Sequence, residues 1–188
     1  MNKNFISFLL LFLFFKSYSQ DSLKHFSKIY QLPITAALSH YPELTNLRIN
    51  FIEADIESTG KTTINLLGIL NKRKRVYIIK INKNKQTTGF VLTDLNLMEQ
   101  TGVIGHELAH VADFSHRNFI QMIKWGFDYL IKSKRRNIER SADQQTIAHG
   151  LGKELFEWSS YVLSTPLTTN KYKQMRKKYY LLPSEIHY

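Results

Sequence analysis

Residues 96–116 read Asn-Leu-Met-Glu-Gln-Thr-Gly-Val-Ile-Gly-His106-Glu107-Leu108-Ala109-His110-Val-Ala-Asp-Phe-Ser-His116, and the pattern dictates a helix. Asn96 with Glu99 three residues on is a capping box, in which each side chain satisfies a backbone N–H at the helix start. Ile104, Leu108 and Val111 recur at helical spacing and form one apolar stripe. Gly102 and Gly105 each cost about 1 kcal/mol of helix propensity relative to Ala, so a close neighbouring backbone is expected there. His106 and His110 stand one turn apart on one face, where two imidazoles can grip a single cation. Glu107 is turned about 100° from His106. It can therefore take a proton from water beside the metal without itself being a ligand.

Outward from this helix, the rest of the chain limits the chemistry. It has 188 residues, no Cys, 43% hydrophobic residues, and 26 Lys+Arg against 15 Asp+Glu. Without Cys there is no disulfide framework, no Cys-ligated metal site and no thiol nucleophile, so a metal must be held by His and carboxylates. The apolar fraction suffices for a core and excludes global disorder. The basic excess favours anionic surroundings.

The first residues speak to compartment. Lys3 precedes an apolar run from Phe5 to Phe15, broken only by Ser7, and small residues follow at Ser17 and Ser19. That is the form of a secretory signal peptide, 1–19, cut after Ser19. These eleven residues rise only about 16 Å as helix, roughly half of a bilayer core, which argues against a spanning anchor. The expected product is an exported chain, periplasmic or secreted, with no nucleic-acid partner and a single domain over 20–188.

The fold class expected is α+β: a small antiparallel or mixed sheet, then a helical part with its active-site helix at about 97–114. Leu47–Ile52, Arg75–Ile81 and Gly89–Leu95 are the expected strands. Asp21–His40 is expected to be partly helical, interrupted at Pro33. Asn118 with Gln121 opens a helix to about Lys132, whose stripe of Ile120, Ile123, Phe127, Leu130 and Ile131 is expected to face the core, with a lipid surface as the alternative. The basic run Lys72–Arg75 lies between the expected strands, and the runs Lys132–Arg136 and Lys171–Lys178 read as solvated faces, with weak contact to anionic envelope polymers or membrane as the alternative.

Catalytic zinc takes three protein ligands and keeps one open position. Two residues are candidates for the third ligand. His116 completes a pattern that resembles the metzincin signature H-E-x-x-H-x-x-G-x-x-H, except that Asp113 replaces the turn-making Gly. Glu139 lies in Glu139-Arg-Ser-Ala142-Asp143, which resembles the E-x-x-A-D segment of gluzincin metallopeptidases, the thermolysin-like group and the relatives of the CAAX prenyl protease. This second resemblance spans roughly Tyr77 to Leu163 and departs from the CAAX protease in lacking transmembrane helices. It implies a zincin core in which Glu139 binds Zn²⁺ beside His106 and His110. It also implies that Asp143 hydrogen-bonds His106, that Glu107 is the general base, and that a peptide or protein substrate pairs with a strand beside the active-site helix. Gly89–Leu95 is the candidate for that strand.

Glu139 is preferred because its match spreads over two segments, with His116 kept as the alternative. For an oxyanion donor, His149, Tyr161, His116 and Arg140 qualify by type. His149, before Gly150, also suits a plainer role at a helix end. Trp125, Trp158, Tyr172, Tyr179 and Tyr180 are expected to pack. The reading is thus an exported zinc metallopeptidase. The rival is a non-catalytic exported module that contains a metal and binds acidic envelope polymers.

Overall fold

A computed structural model of the protein describes residues 23–188. The leader expected at residues 1–19 lies outside the described residues, and among the described residues no helix is long and apolar enough to cross a membrane. The elements in chain order are β1 (Lys24–His25), α1 (Gln31–Ser39), β2 (Ile49–Ala54), β3 (Gly60–Ile64), α2 (Leu66–Leu70) and β4 (Tyr77–Asn82). There follow α3 (Lys85–Thr88), α4 (Leu97–His116), α5 (Phe119–Leu130), α6 (Lys132–Thr146), α7 (Gly152–Ser164) and α8 (Asn170–Tyr179). Short 3-10 turns link several of them. The fold is α+β.

The four strands form one mixed sheet in the order β1-β2-β4-β3. β2 runs parallel to β4, with Phe51 opposite Ile79. β3 lies antiparallel on β4, with Thr62 opposite Ile79, and so forms an edge. Ile49, Phe51, Tyr77, Ile79 and Ile81 are buried and face the helices, as period-2 alternation requires.

α4 is the axis of the molecule. Its capping box is made: Asn96 Oδ1 accepts from Glu99 N–H at 3.0 Å, and Glu99 Oε2 accepts from Asn96 N–H at 2.8 Å. Around it pack α1, α6, α7 and β3, so residues on every face are buried rather than one stripe. Gly102 permits this. A Cβ there would lie 2.3 Å from the Glu154 carbonyl oxygen on α7. At Gly105 a Cβ would meet the Leu151 side chain at 2.6 Å, while the Gly105 carbonyl accepts a hydrogen bond from Tyr41 Oη at 2.8 Å.

Several expectations need correction. Gly89–Leu95 is not a strand. Gly89 ends α3 in the left-handed region at φ 95°, and Asp94 accepts from Val91 N–H at 2.9 Å, closing a 3-10 turn over 92–94. The edge strand beside α4 is β3 instead. Pro33 does not interrupt a helix; it sits in the first turn of α1, where N–H groups have no intrahelical partner. The stripe on α5 faces outward. Its buried or half-buried side is Met122, Trp125 and Tyr129, whereas Ile120, Phe127 and Leu130 are 74%, 66% and 80% exposed. Both sides of α5 carry apolar side chains, so periodicity could not choose between them.

Two cations of the basic runs are buried, and at Arg176 this corrects the expectation of a wholly solvated face. Arg75 is buried, donating to the Gly68 and Phe114 carbonyls at 2.9 and 2.7 Å and so closing the C-terminal end of α4. Arg176 is buried between the rings of Trp158 and Tyr180, its guanidinium carbon 4.0 and 3.9 Å from their centroids.

Candidate metal centre

α4 presents His106 and His110 toward α6, which presents Glu139 and Asp143 one turn apart on its facing side. Nε2 of each imidazole lies 3.3 Å from Glu139 Oε2. Among the described residues, the one group of three His or acidic side chains gathered closely enough to share a metal is His106, His110 and Glu139, all buried. His106 Nδ1 donates to Asp143 Oδ1 at 2.8 Å, leaving Nε2 to point at the cluster. Asp143 Oδ2 in turn accepts from the Leu181 N–H at 2.8 Å, so the chain after α8 fixes the carboxylate that fixes the imidazole.

His116 does not join this group. α4 continues to His116 without the reversal that a metzincin needs, and Asp113 is held in helix by a bidentate pair with Arg117 at 2.8 Å. Six helical residues beyond His110, His116 is turned about 240° away and is exposed. The metzincin alternative therefore lacks its third ligand.

Glu107 faces the sheet. The Thr62 hydroxyl on β3 lies 2.7 Å from its Oε2 and 3.0 Å from its backbone oxygen. A Cβ at Gly60 would fall 2.7 Å from Oε1, so glycine there makes room for the carboxylate. Beside Glu107, His110 and Glu139 opens a cleft of 390 Å³, walled by β3, Ile69 of α2, and Met122 and Trp125 of α5.

Burial raises the Glu107 carboxyl above its ordinary range, partly opposed by the nearby imidazoles. Burial would do the same at Glu139, but hydrogen bonds from His106 and His110 reverse it and hold that carboxyl well below the usual range. Burial would lower the His106 imidazole, yet Asp143 and Glu139 lift it to about 10. Three buried carboxylates (Glu107, Glu139, Asp143) thus surround two imidazoles, and the cluster calls for positive charge.

Reading residue types alone missed Thr62, Tyr129 and Tyr180. Tyr129 donates to Glu139 Oε1 at 2.7 Å. Tyr180 lines the cleft with its ring centroid 5.5 Å from that of His106, and burial keeps its phenol protonated. Tyr180 reads as a packing residue, and Tyr129 lies off the apolar stripe read for its helix. Trp125 also lines the cleft, stacked on Tyr129 at 4.9 Å.

None of the expected oxyanion donors reaches the cleft. Arg140 pairs with Glu185 and Tyr161 packs edge-on against Phe90. His149 stacks on Tyr41 and bonds the Gln145 carbonyl at a helix end, its plainer role. Comparison with protein-family models, with curated proteins and with solved structures finds no match.

Proposed function

We propose that this chain is an exported zinc metallopeptidase of the gluzincin type. The observation that carries the reading is the convergence of His106 Nε2, His110 Nε2 and Glu139 Oε2 in a buried group on the wall of an open cleft. Two imidazoles and one carboxylate are a donor set that suits zinc and leaves a coordination position free. The surrounding carboxylates supply the negative charge that a divalent cation would balance. When bound, zinc supplies Lewis acidity, which polarises a carbonyl and makes water a nucleophile near neutral pH.

The remaining roles belong to the chain's own side chains. Glu107, raised by burial and steadied by Thr62, takes the proton from water as it attacks the scissile carbonyl, then delivers it to the departing amine. Tyr180 is a donor facing the same cleft, suited to the charge that develops on the carbonyl oxygen. Tyr129 and Asp143 orient Glu139 and His106. The outer edge of β3 offers unpaired backbone groups along the cleft, where an extended peptide can add as a strand.

The test is Glu107→Gln, assayed on casein with and without chelator while zinc content is measured. The expected result is equal zinc in both proteins, chelator-sensitive cleavage by the wild type, and a loss in the variant on the order of 10²–10⁴-fold. Full activity in the variant, or cleavage indifferent to chelator, overturns the reading. No cleavage by either protein, with retained binding to acidic polymer, would favour the non-catalytic module.

A further inference from the structure

We propose that α2 and α5 together form a docking face for the surface of an anionic phospholipid bilayer. On α5, Ile120, Ile123, Phe127 and Leu130 recur at i, i+3, i+7 and i+10 and all project into solvent. α5 touches α2, where Leu66, Leu67 and Leu70 are 78%, 60% and 65% exposed. Large exposed apolar side chains gathered on two touching helices are uncommon on a protein that meets only water, and such groups mark interaction surfaces.

The charge around the patch selects its occupant. Residues 60–76 carry five Lys or Arg and no acid, and residues 117–138 carry six with Asp128 as the one acid. Asp128 is answered by Lys124 and Lys134, at 2.9 and 2.5 Å. Lys72, Arg73 and Lys74 follow α2 and are exposed, as are Lys132, Lys134 and Arg136 after α5. A rim of cations around projecting Leu, Ile and Phe matches the anionic headgroups and acyl boundary of a bilayer. A second copy of the chain would bring two cationic rims together across a symmetric contact. Exposed Leu, Ile and Phe side chains of this kind suit insertion at the headgroup and acyl boundary of a lipid surface.

α2 and α5 are also walls of the cleft beside Glu107, through Ile69, Met122 and Trp125. Docking would therefore hold that cleft against the membrane and direct it to membrane-proximal segments of protein substrates. This consequence for substrate rests on the peptidase reading; the docking itself does not.

The experiment uses the exported form expected from the sequence, residues 20–188, with vesicles of phosphatidylcholine alone or with added phosphatidylglycerol, read by sedimentation and by hydrogen exchange. Anionic vesicles should slow exchange over residues 66–70 and 119–130 and leave α1 and α7 unchanged. Phe127→Ser with Leu130→Ser, and separately Lys72→Glu with Arg73→Glu, should each weaken vesicle affinity by about tenfold or more. All four side chains are exposed, so loss of folding does not account for the difference. Equal binding to neutral vesicles, no protection of the two segments, or wild-type affinity in both variants would refute the proposal. So would protection that grows with protein concentration in the absence of lipid, which would assign the face to self-association. Because no readout needs turnover, this outcome is separable from that of the Glu107→Gln assay.

Discussion

Thr62 and Gly60 together determine where the Glu107 carboxylate can be. One gives a hydroxyl at 2.7 Å and the other leaves space that a Cβ would fill. Thr62→Val keeps the shape and β preference of the strand while deleting the donor. A hydrogen bond to a charged group is worth about 1.5–3 kcal/mol, so kcat should fall by about 10–100-fold, with zinc content unchanged and KM little affected. An unchanged kcat would show that Thr62 only packs. His106, Glu107 and His110 were legible because five consecutive residues on a capped helix fix their mutual geometry. Thr62 was not: Gly-Lys-Thr-Thr-Ile has no apolar alternation to announce a strand, and its value depends on an antiparallel pairing with β4. Glu139 and Asp143 became candidates through a family resemblance, since nothing local to α6 says which of its faces meets α4.

At the scale of elements, local signals located helices better than they oriented them. The capping boxes at Asn96 and Asn118 marked the starts of α4 and α5 correctly. The partner of each face came from tertiary packing, so α5 turned its aliphatic stripe outward and kept Met122 and Trp125 for the cleft. Gly102 measures this packing on α4. By propensity alone, Gly102→Ala should stabilise the helix by about 1 kcal/mol. The new Cβ would instead lie 2.3 Å from the Glu154 carbonyl oxygen. Backbone cannot swing aside as a side chain can, so α4 and α7 must separate. Net destabilisation of about 1–3 kcal/mol is expected, read as a lower denaturant midpoint with the slope unchanged. A stabilised variant would mean that the two helices tolerate the shift.

Across the whole molecule, the α+β class followed from strand-like segments preceding helical ones, but closure of the site by the C-terminal end of the chain did not. That closure joins residues 38 apart in sequence, Asp143 to the Leu181 N–H, and sets Tyr180 over His106. The segment is tied down by Glu185, whose carboxylate receives both Nη atoms of Arg140 at 2.6 and 3.0 Å and the Leu182 N–H at 2.9 Å. The Arg140 guanidinium, helped by that N–H, lowers the Glu185 carboxyl from 4.5 to about 2. A carboxyl depressed in the folded state binds fewer protons there than in the unfolded chain between those two values. Its stabilisation is therefore complete above about pH 4.5 and is lost as pH falls toward 2. Glu185→Gln removes the effect, so the melting difference between wild type and variant should stay constant from pH 7 to 5 and shrink between pH 4.5 and 3. The pair is largely solvated, and such pairs contribute about 0.2–1 kcal/mol, which shifts the melting of a domain this size by no more than about 2–4 °C. A difference that persists unchanged at pH 3 would show that the tether acts through packing of the segment and not through its charge.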